Sequence, residues 1–282
     1  MNPIDRDKIP KTALITGAAN GIGYEFAQLF ASDGYSLVLV DKNEQKLAEV
    51  VAEFKDKFNV LVTGVTKDLS LPTSPLEIYN QMQEASIKID VLVNNAGFGK
   101  LGFFTDSNVT SDLEMLQVNL VCLTHLTKLF LQDMVKRGEG KILNVSSTAA
   151  FQPGPLMAVY FATKSYILSF SEAIANELEG TGVSITVLCP GPTHSAFHQR
   201  TGMAEIQVAQ GTKMMDAATV AKIGYHGLMA NKTVVIPGWK NQLLATIVRF
   251  VPRTLVTKYV RSSQETQLVE RDVVKGAAVK DI

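Results

Sequence analysis

The sequence is poor in cysteine, has no charge imbalance and has no long hydrophobic run. Each absence removes a class of protein. Only Cys122 and Cys189 occur in 282 residues. They lie far apart and in no C-x-x-C spacing, which excludes a disulfide framework and a paired-cysteine zinc site and fits a reducing compartment. Both read as core residues. Lys and Arg number 27, as do Asp and Glu. No single-sign block of five or more appears, so the electrostatic footprint of a nucleic-acid binder is missing. No segment approaches the roughly twenty uninterrupted apolar residues that a membrane span needs. The opening stretch MNPIDRDKIPKTALITG has no apolar h-region ahead of a cleavage site. The expectation is a cytoplasmic protein. No internal repeat or low-complexity linker divides the chain.

What is present is ordinary globular composition, 46% hydrophobic and 19% charged, with enough length for a substantial core. Apolar runs rich in Val, Ile and Leu recur at 12–15, 36–40, 59–63, 91–93, 141–145, 184–188 and 233–236. Runs without polar alternation suit strands covered on both faces, and the longer helical patterns between them supply the crossovers that parallel pairing needs. One such helix, 43–57, carries Leu47, Val50, Val51 and Phe54 at spacings of three and four. Another, 160–179, stops at Gly180. The pattern predicts a single-domain α/β fold, a doubly wound parallel sheet of seven strands with helices on both faces. The catalytic domain spans 11–239 after an N-terminal tail of 1–10. An amphipathic helical segment at 240–261 and a polar tail at 262–282 follow.

The first strand runs straight into Thr16-Gly17-Ala18-Ala19-Asn20-Gly21-Ile22-Gly23 and then a helical pattern. Glycines let the main chain turn sharply and approach a ligand, and the free N–H groups of the following helix favour a pyrophosphate. About twenty residues on, Asp41 ends the second apolar run, where an acidic side chain accepts hydrogen bonds from ribose hydroxyls. An anionic Asp41 repels a 2′-phosphate, which favours NAD over NADP, although Lys42 beside it attracts one. Farther along, Tyr160 and Lys164 stand four apart on a predicted helix and so share a face. A free tyrosine titrates near pH 10, and a neighbouring ammonium is expected to lower that value, making a usable acid/base.

With Asn94-Asn95-Ala96-Gly97, Ser147 and Pro190-Gly191 falling in the same order around these motifs, the chain resembles the short-chain dehydrogenase/reductase family, of the short type, over about residues 10–240. The resemblance implies a Rossmann-type fold, a nicotinamide dinucleotide cofactor and a carbonyl or secondary alcohol substrate. It implies that Tyr160 donates or accepts the substrate proton. Lys164 holds the nicotinamide ribose and tunes Tyr160, and Ser147 hydrogen-bonds the substrate oxygen. Asn119 holds a water that relays protons through Lys164. Ser147 rather than Ser146 stands at the family's distance of thirteen residues before the tyrosine. The cofactor-contacting set implied is Gly17, Asn20, Gly21, Ile22, Gly23, Asp41, Asp68, Leu69, Asn95, Ala96, Gly97, Tyr160, Lys164, Pro190, Gly191, Thr193 and Ser195. Asp68 is the adenine-contacting acid of this set, and Asn94 braces the sheet. The family commonly has Val or Ile where Thr193 stands and Thr where Ser195 stands. His194 has no assigned role and reads as a solvated loop residue. No metal site is expected.

Specificity in such proteins comes mainly from the segment after Pro190-Gly191, here about 193–215, and from loops near 151–157. Phe151, Leu156, Met157, Phe197, Met203 and Met214 make that lining apolar, pointing to a lipophilic substrate of steroid, retinoid or acyl type. In 240–261, apolar residues alternate with Arg249, Arg253, Lys258 and Arg261, and Pro252 bends or divides the segment. It has three open fates: covering the pocket, packing on a second subunit of a homodimer or homotetramer, or lying on a membrane surface. Two other functions compete. A catalytically silent dinucleotide-binding regulator would show a damaged catalytic set. A sugar-nucleotide epimerase or dehydratase would show TGxxGxxG spacing and a longer C-terminal domain.

Overall fold

The computed structural model describes residues 10–194 and 214–278. The first half alternates β1 (Thr12–Thr16), α1 (Gly21–Ser32), β2 (Ser36–Asp41), α2 (Glu44–Lys57), β3 (Val62–Thr66), α3 (Ser74–Glu84) and β4 (Val91–Asn94). The second continues through α4 (Val109–Leu116), α5 (Leu123–Arg137), β5 (Gly140–Val145), α6 (Ala158–Glu177) and β6 (Val183–Leu188). It closes with two short paired strands, β7 (Thr193–His194) and β8 (Met215–Asp216), then α7 (Ala217–Met229), β9 (Val234–Val235), α8 (Trp239–Ile247) and α9 (Arg253–Ala278). The main sheet has seven strands in the order β3-β2-β1-β4-β5-β6-β9, every pair parallel. The expected doubly wound α/β fold is therefore the one observed.

Continuous apolar strands arise because both faces are covered. Ala13 and Ile15 of β1 and Leu37 and Leu39 of β2 meet α1, α2 and α7 through Phe26, Phe30, Phe54 and Val220. Their neighbours Leu14, Val38 and Val40 point the other way, to Ile78 and Met82 of α3 and Leu126 and Phe130 of α5. The two-residue period of a strand thus serves two cores. Cys122 and Cys189 are both buried free thiols, and burial pushes each up to about 12.

Two readings need correction. The third strand starts at Val62 rather than 59, because its register is set by Val62 opposite Leu37 while Leu61 points to solvent. The stretch after 261, expected as a polar tail, is helical through Ala278. Val256, Val260, Gln264 and Leu268 recur every four residues along one face of α9. Val256 and Val260 pack on Leu101, Leu156, Met157 and Phe161, with Leu268 partly buried against the same cluster. Burying each valine contributes about 1.5–3 kcal/mol, which anchors the polar second half of the helix. Pro252 does divide the segment, separating α8 from α9.

Candidate active site

The strand order reverses between β1 and β4, and the carboxyl ends of the strands open there into a crevice, where ligands of such sheets bind. The cleft is about 840 Å³ and is lined from Gly17 to Gln264 by loops of both halves. Its floor is welded at the switch point. The Thr16 hydroxyl accepts from the main-chain N–H groups of Asn95 and Ala96, both at 3.0 Å. The Asn95 amide returns bonds to the Thr16 and Gly17 carbonyls at 2.9 and 3.1 Å. Gly17 and Gly21 both adopt left-handed backbone, with φ of 65° and 57°. A Cβ on Gly23 would stand 2.2 Å from the Gly17 carbonyl oxygen. Only glycine lets α1 begin this close to the loop, with its N-terminal N–H groups facing the cleft.

Asp41, at the end of β2, closes one end of the cleft. One carboxylate oxygen accepts from the Ala19 N–H at 3.1 Å and the other from the Asn43 N–H at 3.0 Å. Capping of α2 falls to Asn43, whose side chain accepts from the Lys46 N–H. Lys42 and Lys67 line the same end, but Lys67 is bound to Glu77 at 2.6 Å. Asp68 and Leu69 also line it. The Ser70 N–H bond holds the Asp68 carboxyl below its usual range. Asn94, one residue before the cleft, bonds Thr127 and Asn144 at 3.0 and 2.9 Å and braces the sheet.

At the other end, β5 delivers Ser146 and Ser147 and α6 delivers Tyr160 and Lys164. The Ser146 hydroxyl donates to the Lys164 carbonyl at 2.8 Å. The Ser147 hydroxyl accepts from the Ala149 N–H and is hydrogen-bonded to the Tyr160 side chain. Of the two serines, Ser147 is the one in contact with the Tyr160 side chain. The chain at Gly99 passes so near the Tyr160 ring that a Cβ there would lie 2.9 Å from it. Asn119 sits in a π-helical segment, Gln117–Cys122, between α4 and α5. Such widened turns concentrate at functional sites. Its carboxamide accepts from the Phe98 N–H at 3.0 Å and donates to the Phe98 carbonyl at 2.8 Å, so the side chain holds the loop after β4. A Cβ on Gly97 would be 3.1 Å from the Asn119 carboxamide oxygen and 3.6 Å from Lys164 Nζ, which places both groups against the same glycine.

The electrostatics differ from the sequence reading. Lys164 Nζ donates to the Val145 carbonyl at 2.9 Å and lies 5.6 Å from the Tyr160 ring centroid. Removal from water dominates both groups, pushing the Tyr160 phenol up to about 12 and the Lys164 ammonium down to about 8. The phenol is therefore raised rather than lowered by the protein's own groups, with only the Ser147 bond pulling it down. The buried ammonium has a consequence for stability. Between the folded value near 8 and the unfolded value near 10.5, the unfolded chain binds more protons, so folding is penalised below pH 8 and the penalty fades as pH rises. Lys164→Met is expected to stabilise the protein at pH 7 by up to about 3 kcal/mol, and thermal denaturation should show that gain shrinking toward pH 10.5.

Pro190, Gly191 and Thr193 line the cleft after β6. The Pro190 carbonyl accepts from the Thr148 N–H, and the Thr193 hydroxyl donates to the Gly191 carbonyl. Ser195, Phe197 and Met203 lie outside the described residues. The roof is α8 and α9, through Asn241, Leu244, Val248, Tyr259 and Gln264. Gln264 was not singled out from the sequence, yet it is 9% exposed and its side-chain oxygen is buried without a hydrogen-bond partner among the described residues. A polar residue at the third position of an otherwise apolar i, i+4, i+8 series is the signal that marks it.

A glycine cradle at a topological switch point, joined to a half-buried Ser147 and Tyr160 with a buried Lys164, defines a dinucleotide-binding α/β oxidoreductase. A family model described as short chain dehydrogenase matches residues 11–205, and the chain belongs to that family. It is 30% identical over 250 residues to a ketoacyl reductase of Nostoc sp., covering 86% of this chain and 80% of that one. It is 28% identical to a very-long-chain 3-oxoacyl-CoA reductase of Rattus norvegicus, covering 92% and 85%. Among solved structures, a short-chain dehydrogenase from Sphingobium yanoikuyae in complex with NADPH superposes with a TM-score of 0.76 at 28% identity, covering 82% and 89%. One from Burkholderia phymatum in complex with NAD has a TM-score of 0.76 at 27% identity, covering 85% and 92%.

Proposed function

We propose that this oxidoreductase reduces the carbonyl of a lipophilic substrate with NADH, using Tyr160 as the proton donor. The observation that carries the reading is the meeting of Ser147, Tyr160 and Lys164 at the mouth of the glycine cradle. Gly17, Asn20, Gly21, Ile22 and Gly23 would hold the pyrophosphate at the N-terminus of α1. Asp68, Leu69, Asn95, Ala96 and Gly97 would hold the adenosine side, and Pro190, Gly191, Thr193 and Ser195 the carboxamide side. When bound, the nicotinamide supplies or takes the hydride. The substrate oxygen rests between the Ser147 and Tyr160 hydroxyls, which meet its developing negative charge. A phenol held near 12 keeps its proton at neutral pH, the form that protonates an oxygen in the reductive direction. Lys164, whose Nζ lies 5.6 Å from the Tyr160 ring centroid, would hold the nicotinamide ribose. Asn119, whose carboxamide braces the loop after β4 through Phe98, would help to position the water that relays protons through Lys164.

The apolar lining from Phe151, Met157, Phe161, Leu244 and Val248 suits a lipophilic substrate, consistent with the acyl reductases it resembles. The unpartnered oxygen of Gln264 favours one that also carries an O–H or N–H donor away from the reacting carbon.

Asp41 supports NAD over NADP, since its carboxylate meets the cleft while the nearby Lys67 is neutralised by Glu77. Fluorescence titration should give NADH binding at least about tenfold tighter than NADPH. Asp41→Ala should erase most of that difference. Tighter NADPH binding by the unaltered protein would overturn the assignment.

A further inference from the structure

The helices that roof the cleft have a second face, and it is exposed among the described residues. On α8, Asn241, Ala245 and Val248 turn inward: Ala245 is buried and all three line the cleft. The opposite face carries Trp239, Leu243 and Ile247 at i, i+4 and i+8, with Phe250 completing the stripe in the turn that follows. Trp239 is 70% and Phe250 83% exposed. Leu255 and Tyr259, four apart on α9, extend the exposed apolar surface. A chain whose surface elsewhere is a mixture of charges is one-signed here. From Gly238 to Gln264 there are Lys240, Arg249, Arg253, Lys258 and Arg261 and no Asp or Glu. All five are exposed, and only Arg261 has an ion-pair partner among the described residues, Glu265 at 2.8 Å.

We infer that this face docks on an anionic lipid bilayer, with α8 lying in the plane of the interface. Apolar side chains on one flank and unopposed cations around them are the two components of interfacial helix binding, the first burying area among acyl chains and the second meeting lipid phosphates. Trp239 suits the headgroup boundary, with Lys240 Nζ 5.8 Å from its ring centroid and able to reach outward. No helix among the described residues is long and apolar enough to cross a membrane, so the surface lies on the bilayer and does not span it. A second copy of the chain fits less well. A two-fold contact through this face would set the same cations against one another without an acidic partner. The docking also has a use: Leu244 and Tyr259, both exposed, stand at the cleft, so a lipophilic molecule could pass from the bilayer into the site without crossing water. Docking itself does not depend on the catalytic reading.

Trp239 is the single tryptophan of the chain, which gives the surface its own reporter. The full-length protein is mixed with vesicles of phosphatidylglycerol or of phosphatidylcholine. Sedimentation measures binding, and the emission maximum of Trp239 measures insertion. The expected result is at least about tenfold stronger partitioning onto phosphatidylglycerol, weakened by salt, with a blue shift of Trp239. Leu243→Ser/Phe250→Ser should lose most of that partitioning while binding NADH as the parent does, which shows the fold intact. Failure to sediment with phosphatidylglycerol overturns the inference. So does a blue shift that tracks protein concentration without vesicles and coincides with dimerisation in the ultracentrifuge, which would give this face to a second copy.

Discussion

Tyr160→Phe is expected to lower kcat for ketone reduction by about 10²- to 10⁴-fold, the range that a positioned general acid contributes, while NADH affinity stays within about twofold of the parent. The substitution removes one oxygen and keeps the ring that packs beside Phe161 and under Gly99. What it deletes is the hydroxyl bonded to Ser147, worth about 0.5–1.5 kcal/mol in folding and the proton of the reaction in catalysis. Steady-state nicotinamide absorbance measures the first quantity and fluorescence titration the second. A kcat within tenfold of the parent would assign the proton to another group and remove Tyr160 from the centre of the account.

Gly23→Ala attacks the other half of the site. The added Cβ meets a main-chain carbonyl oxygen at 2.2 Å and the Asn95 amide at 2.5 Å. The carbonyl belongs to Gly17, whose loop is tied to β2 through the Val40 carbonyl and to β4 through Asn95, so backbone must move. Overpacking of this kind costs about 1–3 kcal/mol, and the displaced loop is the one proposed to hold the pyrophosphate. The expected outcome is a lower melting temperature together with at least about a tenfold loss of NADH affinity. Gly102→Ala is the control, since nothing lies within 4 Å of its added Cβ. It should change neither quantity. A Gly23→Ala protein that binds NADH like the parent would show that the cofactor does not use this cradle.

Much of this was legible in the sequence because the fold and the cofactor half depend on local patterns. Five-residue apolar runs such as Thr12–Thr16 have nowhere to sit except between two helical layers. A glycine needed for close approach, as at position 23, announces itself by spacing. The edges of that legibility are physical too. The run Val60-Leu61-Val62 reads as the start of a strand, but at the sheet edge pairing with β2 decides, and Leu61 turns to water. The second half of α9 is polar because it is held by Val256 and Val260 earlier in the same helix, a tertiary contact that composition cannot show. The proximity of Tyr160 to Lys164 followed from the helix period, whereas the sign of the phenol's shift did not, because it is set by burial and by where Lys164 finds its hydrogen bond. Gln264 and the π-helical turn at Asn119 likewise emerge only once distant segments are packed together.

The central claim is hydride transfer, and isotopic labelling reads it directly. The protein would be incubated with NADH carrying deuterium at the reactive carbon of the nicotinamide and a panel of medium-chain ketones and 3-oxoacyl thioesters, and the alcohols analysed by mass spectrometry. One deuterium on the new carbinol carbon, from a single face of the nicotinamide and absent with Tyr160→Phe, is the predicted result. Tight NADH binding with no labelled alcohol from any member of the panel would contradict it and favour a dinucleotide-binding protein without catalysis.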